Sequence, residues 1–362
     1  MKALKLMIAA FALVGATAQA ATQQEIINHI SYNVILATYQ NLANQTASLR
    51  QAIETLAADP TQANLDNAQN AWRAARVPWE NSEAFLFGPV DSLGIDPMLD
   101  TWPLNKLDLD QVLQSNRTIT TDFVRALGTN LQGFHTIEYL LFGDGVNSNT
   151  KPASSLTAKQ LEYLKASSVL LAQHTAELHH AWSTNYDPES PSLPGYVAVI
   201  SRPGFDNLFY TSERAVMEEF VQGMMGIVDE VANGKIADPM GGNIGSANMA
   251  LVESPFAWNS LNDFTNNIRS VYHIYTGQYQ GSSGPGIKAL VENVDADLAA
   301  RVEQQILGCM QMIQAIRPAN GGDFGQAILT NDGRARAQLA IEALNALHGT
   351  LESEVLPTLD MQ

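Results

Sequence analysis

Two short stretches of this 362-residue chain repeat one another in a form suited to holding a cation. Glu80-Asn81-Ser82-Glu83-Ala84-Phe85-Leu86-Phe87-Gly88 and His135-Thr136-Ile137-Glu138-Tyr139-Leu140-Leu141-Phe142-Gly143 share one pattern: a ligand-type residue, two spacers, Glu, three spacers, Phe, Gly. Residues three apart lie on one helical face, so Glu80 with Glu83, and His135 with Glu138, each form a two-toothed clamp. A glycine in the left-handed cap position would stop each helix and place both clamps at the same offset from the end. Helices lying side by side would then bring three carboxylates and one imidazole together, which is a metal site. Helix-surface charge is the plainer explanation. Against it, each second Glu leads into an apolar run, where an unpaired charge is expensive. Asp96 and Asp100, after Gly88, offer further oxygens, and Arg73 and Arg76 could neutralise the acid.

Other clusters carry less. His174-Thr175-Ala176-Glu177, near His179 and His180, lacks the Phe-Gly ending and sits in a long polar-faced helix, which predicts a solvated pair. His-Glu-x-x-His, its inverted form and Gly-x-Ser-x-Gly are all missing. A di-iron bundle needs two Glu-x-x-His pairs and two further Glu, of which only a fragment is visible. The glycine-rich runs 241–245 and 281–286 do not lie between a strand and a helix start, so they are loops and not phosphate cradles. Cys309, the single cysteine, sits in the apolar run 306–313 and is expected to be a buried structural thiol.

The elements that must position these residues are helices. Apolar residues recur at three- and four-residue spacing almost throughout, and strand-type alternation is scarce, so the expected fold is all-α. Thr22-Gln23-Gln24-Glu25 is a capping box opening a helix toward Ala57. Asp59-Pro60 starts a second, which Pro78 kinks or resets before a helix from Glu80 to Phe87. Further helices are expected near 110–114, 121–127, 132–142, 156–182, 205–232, 261–275, 287–316 (interrupted) and 335–356. Pro188, Pro191, Pro194 and Pro203, with Gly195 and Gly204, break the pattern, which places a boundary between a helical bundle over 21–187 and another over 188–362.

The first twenty residues read as a secretory signal: Lys2 and Lys5, an apolar run from Leu6 to Val14, then Ala18-Gln19-Ala20. No later apolar stretch is long enough to span a bilayer, and no cysteine follows the signal for lipid attachment, so a free periplasmic protein without membrane insertion is expected. The net charge of −17 disfavours nucleic acid and anionic lipid and favours cations.

Gly133-Phe134-His135-Thr136-Ile137-Glu138 matches a Gly-x-His-x-x-Glu signature. With Trp79 to Pro89, Asp100-Thr101-Trp102-Pro103-Leu104, Glu253-Ser254-Pro255-Phe256, Asn259 to Phe264 and Asn267-Ile268-Arg269, it makes the chain resemble the imelysin family, also called M75 peptidase-like. The resemblance implies two helical bundles with a pocket at their interface and a link to bacterial iron acquisition. It also implies metal ligation by Glu80, Glu83, Asp96, His135 and Glu138, and a pocket containing Arg76, Asp100, Asn259, Ser260, Asp263 and Arg269. The leading expectation is a periplasmic metal-binding protein of iron uptake, handing its cargo to membrane iron-uptake proteins. A divalent or ferric ion is expected, iron first because oxygens with one imidazole suit it, with zinc and copper as alternatives. One rival is a zinc metallopeptidase with Glu80 or Glu83 as general base, which the missing second histidine disfavours. The other is a non-catalytic module that binds a peptide, haem or a protein.

Overall fold

The computed structural model describes residues 20–319 and 321–361, so all but the last residue of the expected signal over 1–20 lies outside the described residues. The first helix, α1 (23–58), opens on the expected capping box: Thr22 Oγ1 accepts from the Glu25 N–H, and the Glu25 carboxylate accepts from the Thr22 N–H at 2.9 Å. It passes through a π-helical stretch, Ile30–Leu36, without breaking. Helix α2 (Gln62–Glu80) is capped by Thr61, not Asp59, and runs straight through Pro78. A proline forfeits one backbone bond to the preceding turn, and the helix ends two residues later, so Pro78 does not reset it. The helix expected over Glu80–Phe87 is therefore absent. Glu80 closes α2, and Glu83 opens a separate 3-10 turn, Glu83–Phe85, beyond a bend at Asn81-Ser82.

Gly133–Phe142 forms α3 and Ala158–Ser183 forms α4, the latter on a Thr157/Gln160 capping box. Helix α5 (Glu213–Asp229) continues as a π-helical stretch, Glu230–Ala237. Its expected start near 205 is displaced because Asn207 locks the preceding segment into a turn, donating to Val199 O and accepting from the Phe209 and Tyr210 N–H groups. Helix α6 (Ser260–Thr276) ends at Gly277 in the left-handed conformation. The expected interruption within 287–316 falls at Asp295, which ends Ile287–Val294 and caps α7 (Ala296–Ala315). Helix α8 (Asn331–Thr350) follows. The described residues include one strand pair, Gln278–Tyr279 against Ser282–Ser283, in a glycine-rich loop.

Helices α1, α2, α3 and α4 pack as one set and α5, α6, α7 and α8 as another. Trp72, Trp79, Tyr39 and Trp182 fill the first set, and Phe220, Phe264 and Ile306 the second, all fully buried. Where the sets meet, α6 lies against α2, and α5 against the Glu83–Phe85 turn, so the apolar core is continuous across the seam. Gly223 permits that approach, because a Cβ there would collide with the Ala84 carbonyl oxygen. Cys309 is buried in α7, and burial pushes its thiol up to about 12. No helix among the described residues is long and apolar enough to cross a membrane.

Candidate functional site

The seam between the helix sets holds a concentration of buried charge. Arg76 and Glu80 stand one turn apart at the end of α2, His135 opens α3, and Asp263 and Asn267 stand one turn apart on α6. Asp100 ends the short helix Ile95–Asp100, and Glu253 comes from the loop before α6. Gly133 explains the first glycine of the Gly-x-His-x-x-Glu run. Its φ is +80°, and a Cβ would collide with the Leu99 carbonyl oxygen, so glycine lets α3 start hard against the residue preceding Asp100. That approach puts His135 Nε2 3.0 Å from Asp100 Oδ1. Gly133→Ala is therefore expected to cost about 2–4 kcal/mol, from backbone strain plus displacement of the 98–100 segment. Thermal unfolding checks this, and an unchanged Tm would show that the contact is soft.

Arg76 is the hub. Its fully buried guanidinium contacts Asp100, Glu80, Glu253 (2.9 Å) and Asp263 (3.5 Å). Asp100 also accepts from Trp79 Nε1 at 2.7 Å, Glu80 from Asn267 at 2.5 Å and Asp263 from Asn259 at 2.7 Å. Lys235 reaches Glu253 Oε2 at 3.1 Å. His135 Nδ1 lies 2.9 Å from Glu138, whose other oxygen accepts the Phe256 and Ala257 N–H groups at 2.9 and 2.8 Å. Glu138 thus fixes the ring and staples the loop carrying Glu253. Beside this network lies a cavity of about 350 Å³ lined by Glu83, Asp96, Asp100, Glu230, Asp238 and Glu253, with Lys235 its one cation among the described residues.

Protonation follows burial and neighbouring charge. Burial pushes Glu80 and Glu83 well above the usual carboxylate range, despite Arg76 beside the first and Lys235 near the second. Burial also lifts Asp96 to about 6 and Asp263 to about 7. For Asp100 burial again acts upward, but Arg76 and His135 together outweigh it and hold the carboxyl well below its ordinary value. Burial would depress His135, yet Asp100 and Glu138 outweigh it and raise the imidazole to about 9. The metal-free centre therefore carries protons on His135 and on part of its carboxylates at neutral pH.

Three groups of side chains place ligand atoms within 4.8 Å of one another: Asp100, His135 and Glu253; Glu80, Glu83 and Asp100; and Glu80, Glu253 and Asp263. Arg76 fills the third, since its Nη2 touches all three members. The other two share Asp100 and border the acidic cavity, and their hard oxygens with one imidazole fit a first-row metal ion. Acid outnumbers base around them, which leaves charge that a cation would compensate.

The residues expected from sequence divide accordingly. Glu80, Glu83 and His135 belong to these groups, Asp96 lines the cavity, and Glu138 has both oxygens engaged. Arg76, Asp100 and Asp263 join the buried network. Ser260 Oγ donates to the Glu253 carbonyl at 2.5 Å, and Asn259 holds Asp263. Neither caps α6 through its side chain; Asp323, distant in sequence, accepts the Leu261 N–H at 3.4 Å. Arg269 faces a different cavity. Arg73 does not neutralise the cluster, because its guanidinium lies over the Phe142 ring, 4.5 Å from the centroid. His174 is buried rather than solvated, 3.7 Å from Glu177, and joins none of the three groups. Glu253, Lys235 and Asn267 were missed as site residues. Asn267 had a signal, since Asn259, Asp263 and Asn267 recur every four residues at and after the start of α6, and both Asn267 and loop-borne Glu253 stand within the runs that carry the family resemblance.

The architecture and this centre define a class of all-helical proteins in which two four-helix sets close over a buried acid–histidine cluster. Residues 35–351 match the family model for imelysin, peptidase M75, and the chain belongs to that family. It is 30% identical over 352 residues to iron-regulated protein A of Synechococcus elongatus, covering 96% of this chain and 89% of that one. The crystal structure of a Parabacteroides distasonis protein described as an iron-regulated protein A precursor superposes with a TM-score of 0.80 at 26% identity, over 94% of this chain and 96% of that one. An imelysin-like protein from Psychrobacter arcticum, at 13% identity and a TM-score of 0.70 over 93% and 95% of the two chains, shares the fold.

Proposed function

We propose that this chain is a periplasmic metal-binding protein of iron handling, built as two helical bundles over 21–187 and 188–362 with the metal at their seam. The observation that carries the reading is a pair of ligand groups sharing Asp100, one with Glu80 and Glu83 and the other with His135 and Glu253, whose members Glu83, Asp100 and Glu253 line the acidic cavity. Glu138 then acts by orienting His135, as outer-shell carboxylates do, and Asp96 draws the cation in. Iron is favoured by the donor set and by the name of the Synechococcus relative. Elemental analysis with titration of iron, zinc and copper into metal-free protein tests this, with His135→Ala compared and peptide cleavage followed in parallel. Stoichiometric metal in the wild type, lost in the variant and without cleavage, supports a binding protein. Metal-dependent cleavage replaces that reading with a hydrolase, and absence of metal leaves the cluster structural.

A pH dependence follows. Metal must displace the proton from His135, which is held up to about 9, so apparent affinity rises with pH between about 6 and 9, by roughly tenfold per unit for each proton displaced. The metal-free protein behaves oppositely. Stability contributed by protonated His135 is fully present below its ordinary value of 6.5 and is lost as pH rises through about 9. A pH-independent affinity would remove His135 from the ligand set.

A further inference from the structure

A second cavity of about 390 Å³ lies at the same seam, lined by Arg73 and Val77 of α2, by Asn262, Asn266 and Arg269 of α6, and by Gln314 of α7, among others. No carboxylate is among its lining residues, although the chain carries 37 acidic residues against 20 basic ones. Arg73 and Arg269 have no ion-pair partner among the described residues. Arg73 donates one long hydrogen bond, 3.4 Å to the Ala257 carbonyl, its guanidinium lies over the Phe142 ring, and burial lowers its hold on its proton although the charge of Glu138 acts the other way.

The hydrogen-bond inventory points the same way. The side-chain amide oxygens at the cavity are already spent within the protein. Asn266 Oδ1 accepts from Arg269 at 2.9 Å, Asn259 Oδ1 from Asn262 at 3.0 Å, and Asn262 Oδ1 and Gln314 Oε1 from Arg317 at 3.3 and 3.5 Å. What remains unspent is donors: most of the Arg73 and Arg269 forks and the Asn266 amide. Two guanidinium forks and an amide N–H, without competing acceptors, select a planar or tetrahedral group rich in acceptor oxygens.

We infer that this cavity binds a small doubly charged oxyanion, of the phosphate or dicarboxylate class, between Arg73 and Arg269. The site lies beside the acidic centre and is joined to it by Asn259, which lines the cavity and donates to Asp263; α6 turns Asp263 and Asn267 toward the centre and Asn262, Asn266 and Arg269 toward this cavity. An anion held here bridges α2 and α6, one helix from each set.

Calorimetric titration of the full metal-free chain with inorganic phosphate and with succinate, each at fixed ionic strength against chloride, tests the inference. Saturable one-site binding of either anion is expected, weakened at least about tenfold by Arg73→Gln and by Arg269→Gln, and abolished by Asn266→Asp, which puts a like charge in the cavity. Arg50→Gln, on the exposed face of α1, keeps wild-type affinity. A preference for phosphate assigns a tetrahedral ligand and one for succinate a planar carboxylate. No saturable binding of either anion, or wild-type affinity in either arginine variant with unchanged circular dichroism, overturns the site. Arg73 and Arg269 are both partly exposed, so neither change is expected to stop the chain folding.

Discussion

Asp100→Asn is expected to lower metal affinity by about 100-fold or more, at least the loss that changing an outer-shell partner produces, while leaving the fold in place. Asp100 belongs to both unfilled ligand groups. It is also the donor that needs no deprotonation, because Arg76 and His135 hold its carboxyl low in spite of burial. Glu80 and Glu83 must each lose a proton first. Asparagine is close in shape and keeps an oxygen for Arg76 and His135, so the change removes charge at the cost of the hydrogen bond from Trp79 Nε1, and circular dichroism checks that the fold survives. Titration of iron and zinc into Asp100→Asn, with Glu177→Gln as a control from the unrelated His174 pair, reads the effect. Wild-type affinity in Asp100→Asn would discard both ligand groups at once.

Arg76→Met is expected to produce the largest loss of stability, about 3–5 kcal/mol near pH 8, because removing one partner of a buried ionic network strands the others. Methionine replaces the apolar stem but not the charge that faces Asp100, Glu80, Glu253 and Asp263. The loss should shrink near pH 5. Glu80, which burial already holds well up, and Asp263, lifted to about 7, take protons in place of the guanidinium. Denaturant unfolding at the two pH values measures both parts. An equal loss at each would mean that packing, not charge, is what Arg76 supplies.

The same residues show how much could be read in advance. The helical spacing, the Thr22 cap, an interruption within 287–316 and the burial of Cys309 are local matters, set by the period of apolar residues and the chemistry of a few caps. Glu80, Glu83 and His135 were legible because they stand at fixed offsets before apolar Phe-Gly endings. The supposed equivalence of the two clamps was not real: α2 runs through Pro78 and stops at Glu80, so Glu83 reaches the cavity from a separate turn. Gly88 and Gly143 do take positive φ, but with extended ψ rather than the left-handed cap. Glu138 looked like a ligand because it shares a helical face with His135. Its second task, accepting two N–H groups from residues 256 and 257, joins segments more than a hundred residues apart.

By itself, then, the amino-acid sequence determined an all-helical chain, its family, and which short runs bear acid and imidazole, because those properties depend on neighbours within a turn or two. Only the tertiary structure decided that Arg76 fills one acidic group and leaves two others facing a cavity, that Glu253 joins them from a loop, and that Arg269 faces away. The reason is physical. Buried charges are arranged by the partners that compensate them, and those partners come from α2, α3, α6 and two connecting segments whose approach is governed by packing across the seam, including the space that Gly133 and Gly223 leave open.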